Sequence, residues 1–179
     1  MDIFLQQMIN GLVLGSVYAL VALGYTMVYG IIQLINFAHG EVLMFGAMIA
    51  WTVAGILQPA YPGMPGWVVL IIAAVISCTA AALLNFTIEK IAYRPLRNSP
   101  RLAPLITAIG MSLLLQTVAM IIWKPNPKPF PTLLPSTPYE IGGAVISPTD
   151  LLILSLTVVL LASLVWLVNY TSLGRAMRA

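Results

Sequence analysis

Apolar stretches of roughly twenty residues recur along this chain, as spanning helices require. Hydrophobic residues make up 60% of the 179 residues and charged residues only 7%, a composition far from that of a soluble domain. A helix needs about 20 apolar residues to cross a hydrocarbon core roughly 30 Å thick. The sequence therefore predicts an all-α, polytopic transmembrane helical bundle in which residues 1–179 form a single transmembrane domain in contact with membrane lipid.

Hydropathy and helix-start signals together predict about five spans. These spans cover residues 3–28, 41–57, 67–86, 102–123 and 151–168. The second span is short for a complete crossing. Ser147, Pro148 and Asp150 have the residue types expected at N-cap, N1 and N3, so the fifth helix is predicted to begin there.

Basic residues predict how the chain is oriented. Residues 89–101 contain half of the eight Lys and Arg residues and are predicted to form a basic cytoplasmic loop, by the positive-inside rule. The Pro- and Gly-rich segment 124–150 is then external, and residues 169–179 return to the cytoplasm. Three spans before residue 89 place the N-terminus outside, unless the polar break described next adds a partial crossing. Because the basic residues mark topology, a net charge of +3 does not indicate a nucleic-acid partner.

Residues 36–41, NFAHGE, interrupt the apolar sequence with an amide, an imidazole and a carboxylate. Asn36 is predicted to be the N-cap of a helix beginning near Phe37, so the second span begins at a broken or re-entrant segment. Ionisable groups at membrane depth usually face a pathway or a partner, which makes Asn36, His39 and Glu41 candidates for a translocation pathway or gate. The alternative is a cytoplasmic turn at the headgroup level, without contact with cargo.

Small residues at helical spacing indicate where helices pack. Gly11, Gly15 and Ala19 lie four residues apart on the first span, and Gly46 and Ala50 do so on the second. In lipid, such stripes allow backbones to approach closely. We expect these residues to face neighbouring helices.

The sequence contains little that supports catalysis. His39 is the only histidine, and neither HExxH nor GxxxxGK[ST] occurs, so the sequence predicts no metal site, no catalytic residue and no cofactor in this chain. The protein is predicted not to be an enzyme, and any ATP must be used by partner subunits. Two further readings stay open: a stand-alone secondary transporter or channel that uses His39 and Glu41 as a proton relay, and a membrane scaffold that passes no cargo.

Three segments carry a family resemblance. Residues 10–50, which include the polar break, resemble the N-terminal signature of the permease subunits of bacterial branched-chain amino acid ABC importers, the LivH type. EKIAYRPLR at 89–97 and TSLGRAMRA at 171–179 are similar to that family too. The resemblance implies a permease of the bacterial inner membrane that imports branched-chain or related amino acids.

The resemblance also implies partners. These are a second, related permease subunit, two cytoplasmic ATP-binding subunits and an external substrate-binding protein. Residues 169–179 would begin the cytoplasmic region that couples to the ATPase, with Gly174, Arg175 and Arg178 in it, although the two arginines are equally suited to anchoring the fifth span at anionic headgroups. Further spans normally follow in the family, so the chain is expected to be the N-terminal portion of a longer permease.

Overall fold

The computed structural model describes residues 2–32, 36–96, 99–100, 102–134, 137–141, 144–171 and 174. Its long helices are α1 (Asp2–Ile32), α2 (His39–Ala60), α3 (Gly66–Ile88), α4 (Leu102–Trp123) and α5 (Pro148–Tyr170). Within this described part, five helices are long and apolar enough to cross a membrane. The prediction of an all-α polytopic bundle with about five spans is confirmed.

The second span is longer than predicted. α2 has 22 residues, and at 1.5 Å per residue it rises about 33 Å, which is enough for a complete crossing. The apolar run ends at Gln58 and Pro59, whereas the helical hydrogen bonds continue past these two residues. The expectation of a short span was therefore wrong. Pro59 lies inside the last turn, and the Tyr61 amide still donates to the carbonyl of Leu57.

The third helix continues into the segment predicted to be a basic loop. A π-helical turn at Glu89–Tyr93 and a 3-10 turn at Arg94–Leu96 extend α3, so that the helical segment Gly66–Leu96 has 31 residues. Charged residues end an apolar span without ending a helix, because Glu, Lys and Arg are good helix formers. The predicted loop therefore starts as helix.

The chain divides into two compact units. One comprises residues 1–33 and 134–179 and contains α1, α5 and a short hairpin; we call it the α1–α5 unit. The other comprises residues 34–133 and contains α2, α3 and α4; we call it the α2–α4 unit.

In the α2–α4 unit, α2 packs against both α3 and α4. The second half of α2 contacts the start of α3 through Ala54, Val69 and Ala73, all almost fully buried. Nearer the middle, a Cβ atom on Gly46 would lie 3.7 Å from the Cβ of Ala81, so the two helices approach closely there. A larger cluster joins the start of α2 to the end of α3 and to α4; its buried members are Ala38, Val42, Phe45, Ile88, Leu115 and Ala119.

Residues 124–133 fold back over α2 and α3. α4 ends where Lys124 adopts a left-handed conformation with φ of 61°, directly before a proline. Further along, the Trp51 indole N–H donates to the Pro129 carbonyl at 2.9 Å, and the Lys128 ammonium lies 4.8 Å from the Trp51 ring centroid. These contacts fix the segment on α2.

In the α1–α5 unit, α1 packs against α5, which begins with a capping box. The Asp150 amide donates to the Ser147 hydroxyl at 3.2 Å, and the Ser147 amide donates to the Asp150 carboxylate at 3.0 Å. The predicted roles of Ser147, Pro148 and Asp150 are therefore confirmed.

Two short antiparallel strands precede α5: β1 (Tyr139–Ile141) and β2 (Ala144–Ile146). The Gln6 side chain of α1 exchanges two hydrogen bonds with the backbone of Val145, at 2.7 and 3.1 Å. The amide side chain thereby substitutes for a neighbouring strand at the edge of β2.

A single methyl group tests the packing of residues 124–133. A Cβ atom at Gly66 would overlap the carbonyl oxygen of Leu133, so the Gly66→Ala change must displace that segment or α3. We expect a loss of about 1–3 kcal/mol in unfolding free energy, as for overpacked sites. Denaturant titration of the purified protein measures it. Gly63→Ala is the matched control, because a Cβ atom there meets nothing within 4 Å; equal stability of the two variants would contradict the close approach.

Candidate functional site

Asn36 forms a turn immediately before α2. Its side-chain oxygen accepts from the Ala38 amide at 3.0 Å, while its backbone carbonyl accepts from the His39 amide at 3.1 Å. α2 begins at His39, and the residue before it, Ala38, makes no side-chain cap. The prediction that Asn36 caps a helix starting near Phe37 was wrong by two residues, because the amide side chain closes a local turn instead of capping the first helical amides.

The same Asn36 oxygen also accepts a hydrogen bond from the Tyr93 hydroxyl at 2.8 Å. Tyr93 ends the π-helical turn, in which the Arg94 amide reaches the carbonyl of Glu89. In a π-helical turn each amide donates to the carbonyl five residues earlier, one residue further back than in an α-helix. Such turns are frequent at functional sites. The start of α2 is thus joined to the extended end of α3.

Glu41 contacts a different helix. Its Oε1 atom accepts from the Ser112 hydroxyl at 3.0 Å and from the Gln116 amide at 2.7 Å, both on α4. Glu41 and Ser112 are half-buried, and Gln116 is exposed. The carboxylate in the first turn of α2 is also favoured by the positive end of the helix dipole.

The partners of Glu41 lie near the middle of α4. With a rise of 1.5 Å per residue, Ser112 is about 15 Å and Gln116 about 21 Å from Leu102, in a helix about 33 Å long. Glu41 therefore sits opposite the centre of a spanning helix. We refer to Glu41, Ser112 and Gln116 as the mid-span polar cluster.

Aromatic packing holds α2 and α4 together beyond this cluster. The rings of Phe45 and Trp123 meet edge to face with centroids 5.5 Å apart. The Trp123 indole N–H donates to the Thr52 hydroxyl at 3.0 Å. These contacts continue one to three turns after Glu41 along α2, so the carboxylate is held by a packed helix pair.

The residues of the polar break do not converge on one point. Asn36 reaches Tyr93, Glu41 reaches α4, and His39 is the half-buried first residue of α2. The structure therefore connects the break to two neighbouring helices at once.

The small residues predicted to pack fall into two groups. Gly46 lies beside Ala81, as described above, and Ala50 packs against the cluster formed by Ala54, Val69 and Ala73. On α1, by contrast, the predicted stripe is exposed in this chain, and a Cβ atom at either glycine meets nothing within 4 Å. That stripe consists of Gly11, Gly15 and Ala19.

Of the predicted coupling region, residues 169–179, the structure describes residues 169–171 and, beyond them, Gly174. Its amide donates to the Thr171 hydroxyl at 3.2 Å, and a Cβ atom there would overlap the Val168 carbonyl oxygen. Arg175 and Arg178 lie outside the described residues. The close approach shows why this position is occupied by glycine.

Three contact residues were not predicted from the sequence: Tyr93, Ser112 and Gln116. A signal for two of them is present, because Ser112 and Gln116 are polar and four residues apart in an apolar helix, which places them on one face. Tyr93 carries no such signal, since its position depends on the π-helical turn. No group of three or more His, Cys, Asp or Glu side chains that could hold a metal ion occurs among the residues the structure describes.

Comparison with known proteins identifies the family. Residues 7–179 match the family described as branched-chain amino acid transport system / permease component. The chain belongs to this family. No solved structure matches it.

The curated relatives are permeases. The chain is 44% identical to the high-affinity branched-chain amino acid transport system permease protein BraD of Pseudomonas aeruginosa, and 40% identical to the protein LivH of the same description from Escherichia coli K12. Each match covers 98% of this chain and 58% of the relative. The chain thus spans a little over half the length of the curated relatives it matches. With its five spanning helices, it is a multi-pass protein of the bacterial inner membrane.

The Tyr93 contact is tested by removing one oxygen atom. Tyr93→Phe deletes the hydroxyl that donates to Asn36 and leaves the ring in place. We expect a loss of about 0.5–1.5 kcal/mol in unfolding free energy, the usual net value of a hydrogen bond. Denaturant titration in detergent measures it. Tyr61→Phe, at an exposed residue after α2, is the control; an equal effect of both changes would rule out a contribution from the Asn36 contact.

Proposed function

We propose that this chain is part of a membrane-spanning permease subunit in an ABC importer that moves branched-chain or related amino acids into the cytoplasm. Its family and its relatives' names support this function. Transport requires energy, and we propose that separate ATP-binding subunits supply it. This chain then contributes the route and no catalytic chemistry.

The proposed assembly has four kinds of partner besides lipid. They are a second related permease, two cytoplasmic ATP-binding subunits and an external substrate-binding protein. We propose that residues 169–179, with Gly174, Arg175 and Arg178, begin the region that contacts the ATP-binding subunits. We further propose that the α1 stripe of Gly11, Gly15 and Ala19 packs against a helix of the complete transporter, because small residues allow such close contacts.

The mid-span polar cluster carries the proposal. Gln116 lies on α4 and is exposed, and Glu41, which accepts its hydrogen bond near the middle of that helix, is only half-buried. Ionisable groups at such depth usually face a water-filled cavity or other protein. A translocation pathway along this face accounts for the carboxylate, and a scaffold role gives no reason for it.

Orientation follows from the basic residues at the end of α3. By the positive-inside rule, Lys90 and Arg94 lie on the cytoplasmic side. α4 then runs from the cytoplasmic side outwards, with Glu41 about halfway along it, and residues 124–133 are external. We propose that Asn36, with His39, forms the cytoplasmic side of a gate in which Glu41 is the deepest member.

The proposed function is tested by expressing the full-length permease together with the ATP-binding subunits that neighbouring genes encode. We expect the ATP-binding subunits to co-purify with the permease, and we expect proteoliposomes to take up leucine only with ATP and the binding protein. Uptake that follows a proton gradient without ATP would instead indicate a secondary transporter. Stable assembly without any uptake would indicate a scaffold.

Substitutions at the gate test the role of the polar break. We expect the double substitution of Glu41→Ala and His39→Ala to lower ATP-dependent uptake by at least a factor of roughly ten. One well-placed charged contact is worth about 1.5–3 kcal/mol. Uptake of labelled leucine and the amount of protein in the membrane are both measured. Thr117→Val is the control, since the exposed Thr117 hydroxyl donates to the Leu113 carbonyl of its own helix. Wild-type uptake with both residues replaced would exclude the gate.

A further inference from the structure

α2 extends well past the end of α4. The Trp123 indole at the end of α4 donates to the Thr52 hydroxyl of α2, so these two residues lie at the same level. Helical residues 53–60 follow Thr52 and rise about 12 Å further. α3 begins beside them, because Val69 packs in one buried cluster with Ala54. The joined ends of α2 and α3 therefore project beyond α4.

The end of α4 marks a membrane boundary. α4 rises about 33 Å, enough to cross a hydrocarbon core roughly 30 Å thick. It ends at Trp123, and Lys124 and a non-helical segment follow; tryptophan, lysine and irregular backbone are all suited to the membrane–water interface. On the orientation proposed above, this boundary is the external one. The headgroup layer adds only about 5–8 Å on each side of the core, so a projection of about 12 Å reaches through it into water.

Residues 61–67, which we call the outer tip, form a rigid turn and the start of α3. Pro62 and Pro65 restrict the backbone of this turn, because the proline ring fixes the φ angle. The Met64 amide also donates to the Tyr61 carbonyl at 3.0 Å. A surface that is held in this way loses little conformational entropy when it binds a partner.

The outer tip carries two large exposed aromatic side chains. Tyr61 follows α2 and Trp67 is the second residue of α3; their exposed fractions are 60% and 59%. Ile56, shortly before the tip on α2, is exposed as well. Exposed apolar surface in water marks interaction sites, and Trp and Tyr are frequent anchors of protein–protein contacts. The outer tip therefore has the composition of a docking surface for a protein.

The charge around the base of the projection is positive. Lys124 is exposed, and the Lys128 ammonium lies 4.8 Å from the centroid of the Trp51 ring on α2. Two stretches of sequence form the projection and its base, 42–88 and 102–133, and Lys124 and Lys128 are the only charged residues in them. A partner that carries acidic residues around an apolar patch complements such a surface.

We propose that the outer tip is the docking surface for a soluble external protein that has an acidic rim. Tyr61 and Trp67 are the anchors of this contact, and Lys124 and Lys128 lie at its edge. The inference rests on the proposed function, in which that protein is the substrate-binding protein. It assigns this contact to one helical hairpin of the chain.

The first test measures the Kd of fluorescently labelled substrate-binding protein for the complete transporter in nanodiscs of uncharged lipid. We expect Tyr61→Ala and Trp67→Ala each to raise the Kd at least roughly tenfold, as the loss of an aromatic anchor does. Phe86→Ala is the matched control, because Phe86 is an equally exposed aromatic residue, at 60%, near the opposite end of α3. Co-purification of the ATP-binding subunits shows that each variant is assembled. A Kd of both tip variants equal to that of the control would overturn the docking surface.

The second test removes the two positive charges without disturbing the backbone. Lys124→Asn keeps a residue type that tolerates the left-handed conformation at this position. Lys128→Met keeps an unbranched side chain over Trp51. For the unsubstituted transporter we expect the Kd to rise with salt concentration, because exposed charges are screened. The double variant should bind more weakly, with a Kd that changes less with salt. The same salt dependence in both transporters would overturn the acidic rim of the partner.

A photo-reactive amino acid in place of Gly63 identifies what occupies the outer tip, because a Cβ atom there meets nothing within 4 Å. We expect it to capture the substrate-binding protein. Capture of lipid or of the second permease instead would overturn the proposed occupant.

The outcomes separate this inference from the proposed function. Uptake of leucine that needs both ATP and the binding protein, together with tip variants that bind this protein normally, overturns the docking surface alone. An unsubstituted transporter that neither binds this protein nor takes up leucine overturns the importer function itself.

Discussion

A carboxylate opposite the centre of a spanning helix needs hydrogen-bond donors, and the packing of the α2–α4 unit brings those donors to it. Glu41 obtains its donors from α4, which requires α2 and α4 to pack closely at this level. Phe45, Thr52 and Trp123 supply that packing further along the same helix pair. Because hydrophobic burial does not drive helices together in lipid, these specific contacts carry much of the association.

Small residues complete the arrangement on the other side of α2. Gly46 beside Ala81, and Ala54 beside Val69 and Ala73, let α3 approach α2 closely. α2 is therefore fixed on two sides, by close backbone contact with α3 and by polar contacts with α4. This double contact explains how a helix that carries His39 and Glu41 in its first turn packs within an apolar bundle.

The sequence predicted the elements that depend on local physics. Apolar length located the spans, and Ser147, Pro148 and Asp150 predicted the capping box, because each signal acts within a few residues. The pairing of Glu41 with Ser112 and Gln116 could not be predicted, since it joins residues about seventy positions apart. The start of α2 was also placed too early, because an Asn side chain serves equally well in a turn and at a helix cap.

The π-helical turn at Glu89–Tyr93 makes the position of α2 depend on the winding of a different helix. An α-helix advances about 100° per residue, so returning this turn to α-helical hydrogen bonding would rotate everything after it by about that angle. Tyr93 would then point away from Asn36, and the hydrogen bond between them would be lost. A change of one residue in helical register, beside the basic residues Lys90 and Arg94, is therefore sufficient to release the turn that precedes α2 from the end of α3.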